Sequence, residues 1–105
     1  MLTIQMLQDY LAHIHTESDD TGLFMKLVEE IGEVAECLNM RDGRKRGGPD
    51  NAAWANELAV VVKLVVALAA INEIPLEETI LQKDERASIK YHHISLKQYL
   101  AQKKE

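Results

Sequence analysis

The sequence predicts an all-α protein, a bundle of four to five helices, and three observations predict it. Apolar residues recur at helical spacing in segment after segment, and strand-like alternation is absent. Only two prolines occur. Most of the five glycines lie between the periodic segments rather than within them. The 105 residues fit a single domain, 1–105, whose core is thin unless subunits share it.

The first helix is predicted from about Thr3 to His15, with Leu7, Tyr10, Leu11 and Ile14 as its apolar stripe; TESDDTG breaks it. The second runs from about Gly22 to Met40, with an apolar face of Phe24, Leu27, Val28, Ile31, Val34, Ala35 and Leu38. RDGRKRGGPD, with three glycines and a proline, is a loop. Asp50 suits the N-cap of a third helix that reaches about Ile71. NEIP breaks that helix, and Pro75 suits the first turn of a fourth, which continues to about His92. Ser95 suits the cap of a short amphipathic last helix, SLKQYLAQKK. No internal repeat or low-complexity segment interrupts this order.

The third helix demands a partner. From Leu58 to Ile71 it is apolar all round except for Lys63, and a helix of that kind is buried on all sides. One small bundle cannot surround it. The expectation is a central helix covered partly by its own chain and partly by a second subunit, in a homo-oligomer, with Ala67, Ala69 and Ala70 permitting close helix approach.

Charge and cysteine content narrow the class. Seventeen Asp and Glu face 12 Lys and Arg, which argues against nucleic acid as a partner, since phosphate contacts need a basic surface. A lone cysteine, Cys37, excludes an intrachain disulfide and fits a reducing cytoplasm. MLTIQMLQDYLAHIH has no basic start and is interrupted by polar residues, so it does not read as a signal peptide. The apolar run Leu58–Ile71 falls short of the about 20 residues a membrane span requires. A soluble, cytoplasmic protein without a membrane partner is expected.

The chemistry concentrates in KLVEEIGEVAE. Glu29, Glu30, Glu33 and Glu36 are like-charge neighbours at helical spacing, and each such pair destabilises an isolated helix by roughly 0.2–0.5 kcal/mol. Gly32 in mid-helix costs about 1 kcal/mol more relative to alanine. Places where local propensity is overruled tend to be functional or strained. A hard cation relieves such a cluster: Mg²⁺ takes a few carboxylates and leaves its other positions to water and substrate phosphate. Glu30 stands about 100° from the centre of the apolar stripe on a helical wheel and so borders the core, with Glu33 further out. If the third helix lies antiparallel to the second, Glu57, the lone carboxylate near the start of WANELAVVVKLVVALAAI, approaches the same spot as a metal ligand. A solvated acidic face is the competing account of the same residues.

KLVEEIGEVAE followed, after a loop, by NELAVVVKLVVALAAINEIPLEE resembles the MazG-like all-α nucleoside triphosphate pyrophosphatases over roughly Leu23 to Tyr91. The family pattern is Glu-Glu-x-x-Glu on one helix and Glu-x-x-Asp on the next. The resemblance implies a helical bundle that dimerises or tetramerises, binds Mg²⁺, with Mn²⁺ as a substitute, and hydrolyses a nucleoside triphosphate to the monophosphate and pyrophosphate. By position, Glu29, Glu30, Glu33 and Glu57 match the family acids, but the final acid is Val60 here. The implied roles are metal binding for Glu30, Glu33 and Glu57, and water activation for Glu29 or Glu33. Valine offers no oxygen, so weakened metal binding is expected. Two alternatives stand beside this reading: phosphoribosyl-ATP pyrophosphohydrolase, and a catalytically silent helical oligomer that binds nucleotide or a protein partner.

Other residues carry weaker signals. Lys83, Arg86 and Lys90 recur at helical spacing and suit triphosphate oxygens, or a solvated face. Arg41, Arg44, Lys45 and Arg46 form either a phosphate clamp or a flexible loop. Trp54 suits stacking on a base, or packing. Lys63 reads as a side chain snorkelling from an apolar helix. His13, His15, His92 and His93 lack metal-ligand spacing, and Cys37 reads as packing.

Overall fold

The computed structural model describes residues 1–43 and 51–103. It is all-helical: α1 spans Ile4–Ile14, α2 Asp20–Arg41, α3 Asn51–Ile71, α4 Leu76–Tyr91 and α5 Leu96–Gln102, with no strand among the described residues. The expected cap Asp50, and Arg44, Lys45 and Arg46, lie outside the described residues. The chain divides into two compact units, Met1–Ile74 and Pro75–Glu105.

In the first unit α1 and α2 both pack on α3. Side-chain oxygens satisfy the first turns of the outer helices. Thr3 Oγ1 accepts from the Met6 amide at 3.0 Å, and Asp19 Oδ1 accepts from the Gly22 amide at 2.6 Å. The core is Leu11, Leu23, Leu27, Val66, Ala67, Ala69 and Ala70. The three alanines place small side chains where α3 is most deeply covered. Just beyond α3, Glu73 takes the left-handed conformation (φ 55°) and lets the Ile74 amide reach back to the Ala69 carbonyl at 2.9 Å. Two polar clamps hold this end. Gln8, buried on α1, donates to the Ile74 carbonyl at 2.7 Å, and Asn72 donates to Asp20 of α2 at 2.8 Å.

The pairing of residues 20 with 72, 30 with 57 and 41 with 54 makes α2 and α3 antiparallel. The face that α2 turns inward differs from the expected one. Leu23 and Leu27 are buried and Glu30 and Val34 half-buried, whereas Phe24, Val28 and Ile31 are about half exposed. The apolar arc of α2 is wider than one neighbouring helix covers, so a stripe stays open. The same holds for α1, where Leu11 is buried but Tyr10 and Ile14 are not, and for α3, where Leu58, Val62 and Val65 remain open.

α3 is also long and apolar enough to cross a membrane by length and composition, with a mean hydropathy of 1.9. The expectation of too short a run considered only Leu58–Ile71; the helix itself has 21 residues. Its neighbour α2 carries Glu29, Glu30, Glu33 and Glu36, which hydrocarbon would not accommodate.

In the second unit Pro75 precedes α4 and its carbonyl accepts from both the amide and the hydroxyl of Thr79. α4 has Glu77 and Glu78 in its first turn and Lys90 in its last, the charge order the helix dipole favours. It ends at His92, left-handed with φ 57°. Ser95 caps α5 as expected. Its hydroxyl accepts from the Gln98 amide at 3.1 Å while the Gln98 side chain accepts from the Ser95 amide at 3.0 Å, a capping box. The Asp84 carboxylate accepts from the Leu96 amide and ties α5 to α4.

Apart from its own chain neighbours and helix backbone, no atom among the described residues lies within 4 Å of the place a β-carbon at Gly32 would take. Gly32→Ala is therefore expected to stabilise the chain by about 0.5–1 kcal/mol in urea unfolding, the ordinary helix-propensity gain. A loss of stability would mean that something outside this chain approaches the backbone there.

Candidate acidic site on α2 and α3

Glu57 lies on the inward stripe of α3 with Trp54, Val61 and Leu64, all half-buried. On α2 the matching position is Glu30, whose side chain is 13% exposed. Helical spacing places both acids on the faces that the two helices turn towards each other. Glu33, one turn on, is exposed, and so is Glu29. Lys26 stands one turn before Glu30. Its Nζ lies 3.3 Å from Glu30 Oε1 and 3.8 Å from Glu29 Oε2.

Two adjacent carboxylates between helices repel unless they share a proton or a cation. Drawn as a carboxylate, Glu57 leaves Oε2 buried with no hydrogen-bond donor. A proton on Glu57 removes the conflict, since Glu57 then donates to Glu30. This hydrogen bond is the first cause that pushes the Glu57 carboxyl above the ordinary glutamate range, followed by burial and by the charges of Glu30 and Glu33. The same hydrogen bond, with Lys26 second, holds Glu30 below that range. Lys26 is raised, first by its hydrogen bond with Glu30.

Glu30 and Glu57 face each other from two helices, and Glu33 acts on Glu57 through its charge. It is an open arrangement. No three His, Cys, Asp or Glu side chains among the described residues converge as a metal cage. Mg²⁺ needs only one or two carboxylates where phosphates and water complete its shell. Val60 stands at the edge of the inward stripe, about 60° from Glu57 on the wheel, and is 36% exposed.

No protein-family model matches the chain, and neither a curated protein nor a solved structure matches it.

The remaining sequence candidates are dispersed. Lys83, Arg86 and Lys90 lie exposed on α4, with the Lys90 ammonium 5.3 Å from the Tyr91 ring centre. An open cleft of about 750 Å³ between α4 and α5 is lined by Glu85, Ser88, His92, His93 and Lys97, and none of those three cations lines it. Lys63 is exposed, in keeping with a snorkelling side chain. Arg41, expected in the loop, is the last residue of α2. Its guanidinium lies 5.3 Å from the Trp54 ring centre, a cation–π contact that sequence reasoning missed. Trp54 Nε1 is buried without an acceptor among the described residues. The Lys26–Glu30 pair was also missed, although its four-residue spacing advertised it.

The proton shared by Glu30 and Glu57 predicts a pH dependence for the metal-free protein. A carboxyl raised in the fold contributes stability that is present at low pH and lost as pH rises from about 4.3 through the raised value. A depressed carboxyl contributes stability that is lost as pH falls from about 4.3 through the lowered value. Glu57 is the first case and Glu30 the second. Glu57→Gln donates at every pH, so its melting temperature should not show the parent's decline above about pH 4.3. Parallel curves for parent and variant would show that the two side chains share no proton.

Proposed function

We propose that this chain is a MazG-like nucleoside triphosphate pyrophosphohydrolase, dependent on Mg²⁺ or Mn²⁺ and weakened by Val60. What supports this reading most is the placement of Glu30 and Glu57, each partly buried, on the packed pair α2 and α3, one acid from each helix of the motif. In this reading Glu30, Glu33 and Glu57 would hold the ion, which would neutralise phosphate charge and lower the pKa of the attacking water. Glu29 and Glu33, both exposed, are the groups placed to accept the proton of that water. Water adds at the α-phosphorus and pyrophosphate leaves, giving the monophosphate. Lys83, Arg86 and Lys90 are proposed triphosphate contacts on the strength of charge and exposure. The setting we propose is a cytoplasmic homo-oligomer, a dimer or tetramer.

Val60 supports a second reading, a silent helical oligomer, because the position of the family acid carries no oxygen. One assay separates the two. The chain is incubated with nucleoside triphosphates and phosphoribosyl-ATP in Mg²⁺ or Mn²⁺, and pyrophosphate is measured. Slow release is expected, below roughly 1 s⁻¹, and Val60→Asp should raise it. No pyrophosphate from parent or variant would favour the silent oligomer.

The open apolar stripes Phe24/Val28/Ile31 and Leu58/Val62/Val65 support assembly, because exposed apolar patches of this kind mark interaction surfaces. Sedimentation at micromolar concentration should show a dimer or larger species. A well-folded monodisperse monomer would overturn the assembly.

A further inference from the structure

In α2 and α3 each residue of the covered stripe is followed by an open one. On α2 the inward Leu23, Leu27, Glu30 and Val34 precede the exposed Phe24, Val28, Ile31 and Ala35. On α3 the inward Trp54, Glu57, Val61 and Leu64 precede the exposed Ala55, Leu58, Val62 and Val65. One residue is about 100° of helical turn, taken in the same sense on both helices. The helices are antiparallel, with Asp20 bonded to Asn72 at one end and Arg41 over Trp54 at the other. Equal turns on antiparallel neighbours carry both open stripes to the same side of the pair. The stripes are therefore one face, whose six large side chains are each 42–54% exposed. Such a face is on the order of several hundred Å², the size at which exposed apolar surface marks an interaction site.

Spacing and charge say what covers it. Along each stripe the residues advance by four and three, the heptad spacing of a seam that receives the side chains of another helix. Two seams side by side take two helices, and a second α2–α3 pair presents two seams of the same kind. All eight positions are apolar. Lys26, Glu29, Glu33 and Glu36 on α2, and Lys63 on α3, stand more than about 100° round their helices from the centre of the open stripe. Two copies of a chain with net charge −5 can thus meet here without opposing or burying a charge. Resting on the assembly reading above, we propose that this face is the two-fold interface of a homodimer. The α2–α3 pairs of two copies pack face to face as a four-helix bundle and supply each other with a second helical layer.

The test follows the full chain by sedimentation and hydroxyl-radical footprinting from micromolar concentration downward. A dimer is expected in which Phe24, Ile31 and Leu58 react less than in the diluted chain. Met6 and Tyr10 on the open side of α1, 55–56% exposed, should react equally at both concentrations. Val28→Glu and Val62→Glu each place an unpaired charge in the interface and should weaken association by about a hundredfold or more. Both positions are 45–50% exposed in the single chain, so helix content by circular dichroism should stay at the parent level. Tyr10→Glu should associate like the parent. A dimer protected at Met6 and Tyr10 but not at Phe24, Ile31 and Leu58 would overturn this interface and leave the assembly standing; the footprint decides this without any substitution. A monodisperse monomer would overturn the assembly and this proposal with it.

Discussion

The contact of Glu57 with Glu30 is the constraint on which the arrangement of α2 and α3 depends. Glu57 sits on the inward stripe of the most apolar helix in the chain. A carboxylate there is costly to desolvate unless a proton or cation is shared with it. Glu30 supplies the partner, and Lys26 tempers the charge from outside. The acids therefore belong to the helix interface itself, and a change in their charge is felt by the pairing of the helices. The alanines of α3 and the two clamps at Ile74 and Asn72 hold the far end of the same helix.

The core around this contact is small. Leu11 and Val66 are the largest side chains fully buried, and alanines make up much of the rest. A unit of this size buries a modest share of its apolar surface. The open stripes of α2 and α3 advance in steps of four and three residues. That spacing favours a shallow crossing of about 20° between paired helices.

The helices were legible because their apolar spacing and breakers agree. Ser95 was legible as a cap since the side chain three residues on, Gln98, completes the box within the local sequence. The inward face of α2 was not legible. Phe24, Val28 and Ile31 read as core by hydrophobicity alone, and only the positions of α1 and α3 decide which part of a wide apolar arc is covered. The site divides the same way. Glu30 at the border of the core follows from the wheel, and the approach of Glu57 follows from an antiparallel pairing. The ownership of the proton, and the stacking of Arg41 on Trp54, depend on contacts that no spacing rule contains.

The two stripes of α2 have a consequence for register. Leu23, Leu27, Glu30 and Val34 advance by the same steps as Phe24, Val28, Ile31 and Ala35, so hydrophobicity does not distinguish the faces and even favours the second. What distinguishes them is the acid. With the second stripe turned inward, Glu57 would meet valine or isoleucine and find no acceptor for its proton. A slip of one turn along the first stripe would set it against Leu27 or Val34, with the same result. Of these alignments, the observed one alone sets an acid against the half-buried Glu57. A polar pair that adds little to affinity between helices can still select a single alignment among several greasy ones, as buried polar groups do in coiled coils. The glutamates would then act as the key that orients the fold.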